Sequence, residues 1–483
     1  MHVLSALLLF GLVRRTLEVI RRNPFAPLRD ADIACATALI WAVHPLTSEP
    51  VLYLTQRTES MMALCFLLTM YANARALTAR RPRNWRVVAV AACLAGAGCK
   101  ETIAVAPVAV VLYDRVFVFP SFRDAFERQW KVYGGLALTW VALALLLVSG
   151  GQSIAAGFES TSNSAATYFF NQPRMILRYL RLAVWPDSLV LYYGWTRPVL
   201  FSDVWPSVVV VGLLFCGMLY ALRRRPVIGF LAAFVFLTLG PTSSLIPIAT
   251  EVAAERRMYL PMTAIAVAFV LAVARVSLRA AGTIRPTSAF AVATAVLVAA
   301  LSLVTYARTG EYASALTMAQ TVLDRWPTAN AEYMVGTELA AAGQREKAIG
   351  HLQAAARDYP PANYPLGVQL LESGRGAEGM TALQQFIAAE PTALASRRAH
   401  GLLANTLADQ ERFREAISHY REYLAAHEND ADAWNALGVA HIRENQLDEA
   451  IASFRTAVKA RPGDDRLLAN LHRAEALRQQ PYK

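Results

Sequence analysis

Four separated stretches of this sequence crowd ionisable side chains against apolar runs. "HPLTSEPVLYLTQRTESM", residues 44 to 61, holds His44, Glu49, Arg57 and Glu59. "CKETIAV" holds Lys100 and Glu101, and "RMILRYLRLAVWP" holds Arg174, Arg178 and Arg181, followed closely by Asp187. "SSLIPIATEVAAERRMYLP" holds Glu251, Glu255, Arg256, Arg257 and Tyr259. Charges beside or inside membrane spans are expensive, and so are more often functional than charges in loops. Here carboxylates and cations alternate. Arginine forks and a lysine point charge suit a negatively charged lipid-phosphate leaving group. A carboxylate suits the removal of a proton from an acceptor.

Each group has a plainer alternative. His44 before Pro45 fits a capping or packing residue equally well. Glu49, Arg57 and Glu59 fit internal ion pairs between short helices, and Lys100–Glu101 fits a simple interfacial turn. Arg256–Arg257 fits a headgroup anchor. Arg174, Arg178 and Arg181 fall at i, i+4 and i+7, one helical face suited to headgroups or to a substrate. Pro45, Pro50, Pro247 and Pro261 fit punctuation of helix ends.

The elements that must position these groups are apolar. The chain has 483 residues, 55% hydrophobic and 17% charged, and the average hides a division near residue 307. Before it, apolar runs of about bilayer-spanning length recur. They predict ten passes, at about 1–13, 31–46, 60–78, 86–99, 101–119, 131–149, 203–222, 226–241, 257–278 and 286–306. Several are short enough to tilt or to start below the interface. Residues 174–186 alternate arginine with apolar residues and predict an amphipathic interfacial helix.

Charge divides at the same place. Residues 1–307 carry 28 Lys+Arg and 14 Asp+Glu, a balance of +14; residues 308–483 carry 19 and 22, a balance of −3. The basic excess therefore belongs to membrane loops, which excludes nucleic-acid binding by a soluble basic patch. One set of loops holds 20 of the 28 basic residues, and the positive-inside rule places that set in the cytoplasm. The four ionisable stretches then face outward, and ten passes put the soluble part on the non-cytoplasmic side. Cys35, Cys65, Cys93, Cys99 and Cys216 all lie in apolar runs with no CxxC spacing, so neither a disulfide framework nor a zinc site is implied. A divalent metal is not demanded by the sequence.

After residue 307 the period is 34. "ADAWNALGVAHIRENQLDEAIASFRTAVKARPGD", 431–464, fits the tetratricopeptide pattern at Trp434, Leu437, Gly438, Ala450, Phe454, Ala457 and Pro462. Ala348 and Ala416 occupy the position of Ala450, and the unit between them is irregular. The array spans 308–464 as about four units plus the half-unit "EYASALTMAQTVLDRWP", and 465–483 predicts a capping helix. Stacked units form an α-solenoid with a concave groove for protein or peptide partners. The fold expected is all-α: a polytopic membrane domain over 1–307, then this solenoid.

Four motifs occur in order: "HPLTSEPVLYLTQRTESMMALCFLLTMYA", "GCKETIAVAPVAVVLYD", "RYLRLAVWPDSLVLYYGW" and "GPTSSLIPIATEVAAERRMYLP". With the fused array, the chain resembles the transmembrane and tetratricopeptide-repeat O-mannosyltransferases and their bacterial relatives, of the GT-C fold. The resemblance implies a multi-pass enzyme that moves mannose or another hexose from a polyprenyl-phosphate carrier to a protein acceptor on the non-cytoplasmic face, with inversion. It implies that Arg256, Arg257 and Lys100 hold the lipid phosphate. Glu49, Glu59, Glu101 and Glu255 would orient those cations or contact sugar and acceptor, with His44 shaping the site. Its partners would be the lipid-linked sugar, membrane lipids and an acceptor held by the repeat groove.

The family's catalytic carboxylate lies in an outward loop after a first span. That loop is expected upstream of Met1, since "MHVLSALLLFGLV" offers only 13 residues, about 20 Å, before Arg14. The expectation is that Met1 is an internal methionine of a longer natural chain. The competing function is a non-catalytic membrane scaffold whose repeats recruit envelope or secreted proteins. A third is another polyprenyl-linked reaction, such as glycan ligation.

Overall fold

A computed structural model describes residues 1–20, 25–149, 165–194, 199–241, 251–279 and 285–479. Every regular element among them is helical. The chain divides into two compact units, Met1–Trp326 and Pro327–Lys483.

The first unit contains α1 (His2–Val19), α2 (Asp30–Val43), the short α3 (Glu49–Leu52), α4 (Arg57–Ala76), α5 (Pro82–Ala97), α6 (Ala106–Tyr113) and α7 (Phe122–Ser149). After these come α8 (Ala165–Val184), α9 (Phe201–Arg224), α10 (Pro226–Gly240), α11 (Pro261–Arg279), α12 (Pro286–Thr309) and α13 (Ala315–Arg325). Four helical segments are long and apolar enough to cross a bilayer: Phe122–Ser149, Phe201–Arg224, Pro261–Arg279 and Pro286–Tyr312. At 1.5 Å per residue, α9 alone reaches about 36 Å. The apolar α10 is shorter. The apolar runs of the sequence are helical, except that 101–119 divides into the turn Glu101–Val105, the eight-residue α6 and the turn Asp114–Val118, and prolines start several of the helices. Pro82, Pro226 and Pro286 sit in first turns, where the missing N–H costs no hydrogen bond. Pro45, Pro50 and Pro261 also stand at helix starts. Pro247 lies outside the described residues.

The first helix departs from the expected 1–13. It runs through Arg14 and Arg15 to Val19, about 27 Å. Ser5, Leu9, Val13 and Leu17, four apart, form its buried face. The arginines reach away from that face: Arg14 pairs with Glu18 at 3.0 Å, and Arg15 donates to Thr78 at 3.1 Å. The amphipathic helix is also longer than 174–186. It begins at Ala165, and Tyr168, Gln172, Ile176 and Tyr179 are its buried stripe.

Helices α9 and α10 meet at a one-residue corner, Arg225. A Cβ on Gly229 would stand 2.3 Å from the Leu222 backbone nitrogen, so only glycine allows that approach. The half-repeat α13 belongs to the first unit, not to the array. Arg325 donates to the Leu189 carbonyl at 2.7 Å, and the Trp326 indole N–H donates to the Tyr193 carbonyl at 3.0 Å.

The second unit holds four helix pairs: α14 (Ala329–Ala341) with α15 (Arg345–Ala356), α16 (Asn363–Glu372) with α17 (Gly376–Ala389), α18 (Leu394–Asp409) with α19 (Phe413–Leu424), and α20 (Ala431–Arg443) with α21 (Leu447–Ala460). The helix α22 (Asp465–Gln479) closes the series. Gly336, Gly367, Gly401 and Gly438 let each pair close up, against Leu352, Leu383, Tyr423 and Phe454 respectively. In the irregular second pair, Gly379 packs against Leu371 and the Gly367 carbonyl, where the other pairs carry alanine. Caps fix several helix starts: Thr328 accepts from the Ala331 amide at 3.2 Å, and Asp430 accepts from the Ala433 amide at 3.0 Å.

Candidate functional site

One end of the membrane unit gathers the ionisable stretches. The end of α2, the turn Pro45–Thr47, α3, the turn Glu255–Met258 and the last turn of α12 meet there. Three bonds tie them: Thr305 Oγ1 donates to the Val43 carbonyl at 2.6 Å, Trp41 Nε1 to the Tyr259 carbonyl at 3.0 Å, and Arg308 Nε to Ser48 Oγ at 3.0 Å. The loop after α8 lies along residues 251–254. Val252 donates its amide to Gly194 at 2.9 Å, and Ala254 donates to the Tyr179 hydroxyl at 2.7 Å. Ala253 and Ala254 are fully buried, so the two segments can lie close.

Within this layer carboxylates and guanidinium groups alternate. Glu49, fully buried, accepts from the Arg256 amide at 2.8 Å and from Arg256 Nη1 at 2.9 Å. Arg256 also bonds Glu251 through Nη2. Glu251 in turn sits 3.4 Å from Arg257 Nη2, and Arg257 Nη1 donates to the Tyr168 hydroxyl at 2.9 Å. Glu255, fully buried, accepts from the Val190 amide at 2.6 Å, the Tyr193 hydroxyl at 2.9 Å and Arg308 Nη2 at 2.6 Å. Arg308 continues to Glu311 at 3.3 Å, and Glu311 to Arg325 at 2.6 Å. A buried carboxylate without such partners would cost several kcal/mol.

Burial sets the proton affinities. It pushes the Glu255 carboxyl up to about 7, against the pull of Arg308. Burial likewise raises Glu49, opposed by Arg256. For Arg256, burial disfavours the charge, but Glu49 and Glu251 outweigh it and hold the guanidinium above its ordinary value.

The remaining expected residues fall into separate places. Lys100 Nζ pairs with Glu59 at 2.5 Å; Glu59 is buried, while a fifth of the Lys100 side chain is exposed. Glu101 opens the turn Glu101–Val105 and is half-buried. Arg57 begins α4 and is exposed. His44 is buried, with Nε2 3.2 Å from the Ala183 carbonyl and Nδ1 accepting from the Leu46 amide at 3.2 Å. It is therefore both a cap and a packing residue. Arg178 donates to the Ser188 carbonyl at 2.9 Å and stacks over Trp326, 4.6 Å from the ring centre. That binds Arg178 to the loop that follows its helix, while Arg174 and Arg181 stay exposed on α8.

Glu49, Glu255, Arg256 and Arg257 are thus brought together, and Lys100–Glu59 forms a second pair. Arg308 is the member that the sequence reading lacked. It follows the last apolar run as a single arginine, the usual mark of an interfacial anchor, and only the fold places it on Glu255. Glu251 stood among the outward charges without an assigned partner.

In the array, a cavity of about 530 Å³ is lined by Tyr364, Arg398, Asn405, Tyr420, Tyr423 and Asp430, among others. Tyr420 donates to Asn405 at 2.7 Å and Tyr423 to Asp430 at 2.8 Å. Aromatic faces beside fixed polar groups suit a peptide.

Fold and site together define a helical membrane protein with a charged layer at one end of its helices and a separate repeat solenoid. Comparison with known families gives that class its particulars. Residues 1–149 match the family model for dolichyl-phosphate-mannose-protein mannosyltransferase, and residues 401–465 match a tetratricopeptide repeat model. The chain therefore joins a membrane domain of the mannosyltransferase kind to a tetratricopeptide region, as the resemblance to the transmembrane and tetratricopeptide-repeat O-mannosyltransferases implied.

No curated protein matches the chain. Among solved structures, MamA 41-end from Desulfovibrio magneticus RS-1 is 21% identical over 31% of this chain and 85% of its own, with a TM-score of 0.29. YrrB, titled a TPR protein with an unusual peptide-binding site, is 19% identical over 36% of this chain and 87% of its own, with a TM-score of 0.29.

Proposed function

We propose that the protein transfers mannose or another hexose from a polyprenyl-phosphate carrier to a protein acceptor on the non-cytoplasmic side of the membrane, and that the repeats recruit that acceptor. The observation that carries this reading is the alternating charged layer at one end of the helices, in a chain whose first 149 residues match a mannosyltransferase model. In an inverting transfer the acceptor oxygen bonds to the anomeric carbon as the bond from that carbon to the phosphate oxygen breaks. The hydroxyl proton goes to a base, and the polyprenyl phosphate leaves with the electron pair.

The leaving phosphate needs cations that are held in place yet open to a ligand. Lys100 and Arg256 fit that need, with side chains 20% and 13% exposed. Arg257, at 1%, shares Glu251 with Arg256 and positions that carboxylate. Glu49, Glu59 and Glu255 are each neutralised by a cation, so their role is to orient Arg256, Lys100 and Arg308. Among the carboxylates proposed from sequence, Glu101 is the one to which the structure gives no ion pair among the described residues, and we assign it to sugar or acceptor contact.

The test is hexose transfer from a polyprenyl-phosphate donor to envelope or secreted proteins in membranes. Lys100→Ala and Arg256→Ala should each lower transfer by at least about tenfold, with Arg57→Ala as the exposed control. Transfer by the native protein that neither variant lowers would remove both cations from the phosphate site. No transfer by the native protein, with repeat-dependent capture of a secreted protein retained, would establish the scaffold instead.

A further inference from the structure

At the other end of the same helices lies a cavity that the charged layer does not use. It has a volume of about 900 Å³ and is walled by α1, α10 and α11. Its walls are apolar apart from Arg224, Arg225 and Arg275, and the lining contains no carboxylate. A narrower apolar cavity of about 90 Å³ adjoins it, with Leu17, Leu231, Ala264 and Leu271 lining both. The apolar surface therefore continues inward from the arginines between α1 and α11.

Two independent features mark the arginine end as a phosphate site. The first is the trio itself. All three side chains are exposed, and the structure gives none of them an ion pair among the described residues. The second is the start of α10. Arg225 is its cap and Pro226 its first residue, so the amides of Val227 and Ile228, which both line the cavity, lie in the unpaired first turn. A helix start and three arginines thus converge at the mouth of an apolar groove, which is the charge pattern of an anionic headgroup with its chains.

The mouth is also distant from the proposed donor site. α11 begins at Pro261 beside the charged layer, and Arg275 lies fourteen residues further along, about 21 Å down the helix axis. A phosphate held here belongs to a different lipid from one held by Lys100 and Arg256.

We propose that this groove binds one anionic diacyl phospholipid, its phosphate on Arg224, Arg225 and Arg275 and its acyl chains along α10 and α11. The test uses the purified full chain in neutral detergent, offered phosphatidylglycerol or phosphatidylcholine, with retained lipid counted by native mass spectrometry. Phosphatidylglycerol should be retained at least about tenfold better. The triple variant Arg224→Gln/Arg225→Gln/Arg275→Gln should bring that preference close to one, and Ala268→Trp, which fills the groove wall, should lower retention of both lipids. The three arginines are exposed, so helical content by circular dichroism should be unchanged in the triple variant, which decides the matter even if Ala268→Trp fails to fold. Equal retention of the two lipids by the native chain, or an unchanged preference in the triple variant, overturns the proposal. Displacement of phosphatidylglycerol by millimolar inorganic phosphate overturns it too, because the site would then take phosphate without the lipid.

Discussion

Both units carry exposed arginine–carboxylate pairs, but among the described residues only the membrane unit also buries them. In the membrane unit, Arg308 and Glu255 have side chains 3% and 0% exposed. In the array, Arg461 and Asp432 have side chains 51% and 55% exposed. An exposed pair contributes little, because water and salt already satisfy both charges. A buried pair contributes little net stability as a pair, yet loss of one partner strands a charge in a poorly polarisable surround. The same chemical contact is therefore decoration in one unit and a geometric constraint in the other. That constraint is what keeps a multi-segment charged layer in register when its parts come from residues 49, 255 and 308.

The largest break in this comparison is Arg308→Ala. It should cost about 3–5 kcal/mol, because Glu255 would keep only the Val190 amide and the Tyr193 hydroxyl. Thermal melting of the detergent-purified chain measures it. The double change Arg308→Met with Glu255→Gln should recover most of the loss, since it removes both charges. A loss well under 1 kcal/mol for the single variant would mean that water reaches Glu255 and that the layer is not a constraint.

Next in size is a change that touches no charge. Gly438→Ala puts a Cβ 2.6 Å from the Phe454 ring, which must shift. It should cost about 1–3 kcal/mol and speed hydrogen exchange in α20 and α21. The array's stability resides in such close approaches, which is why its surface pairs can be weak.

The sequence carried the helices well and the ion pairs poorly, for a physical reason. Apolar runs and a 34-residue period are local signals, and they located α1, α2, the helices from α4 to α12 with the amphipathic α8 among them, and the repeat pairs, but not the short α3, and they merged α6 with its flanking turns into one span. Pairing is not local: Glu49 and Arg256 are 207 residues apart, and Arg308 and Glu255 are 53 apart. The four charged stretches could be read as one layer, but not which carboxylate meets which cation. Smaller misses have similar causes. Arg14 looked like the end of a span, yet arginine can leave a helix face without ending the helix. Gly379 went unmatched because it replaces the repeat's alanine. The half-repeat α13 has the repeat pattern, but Arg325 and Trp326 fasten it to the loop at residues 189–193.

The array has a half-buried histidine pair that sharpens the contrast. His400 and His419 meet at 2.8 Å between their Nδ1 atoms, and burial lowers the proton affinity of both from the ordinary 6.5. Glu422 pulls the other way on both rings and Glu415 on His419, while Arg397 adds to the lowering at His400. As pH falls below about 6.5, the unfolded chain takes up protons that the folded pair resists, so stability is lost with falling pH. Amide protection in α18 and α19, taken relative to the intrinsic exchange rate at each pH, should fall as pH drops below about 6.5, and His419→Gln should flatten that trend. An unaltered trend in the variant would place the titration elsewhere.

The smallest expected effect tests the other side of the comparison. Asp432 receives Arg461 at 2.8 Å and also Arg466, all at the surface. With two cations on one exposed carboxylate, Arg461→Ala leaves Asp432 paired and hydrated, so the melting curve should not move measurably. Raising salt from 0.1 to 1 M shortens the screening length from about 10 Å to about 3 Å. That should weaken the array's surface pairs and leave the buried pair of Arg308 with Glu255 unaffected. The discriminating measurement is exchange at α20–α22 against exchange at the end of α12, followed across the salt series in one sample. Equal salt sensitivity at both places would show that the membrane layer is hydrated, and the distinction drawn from burial would fall.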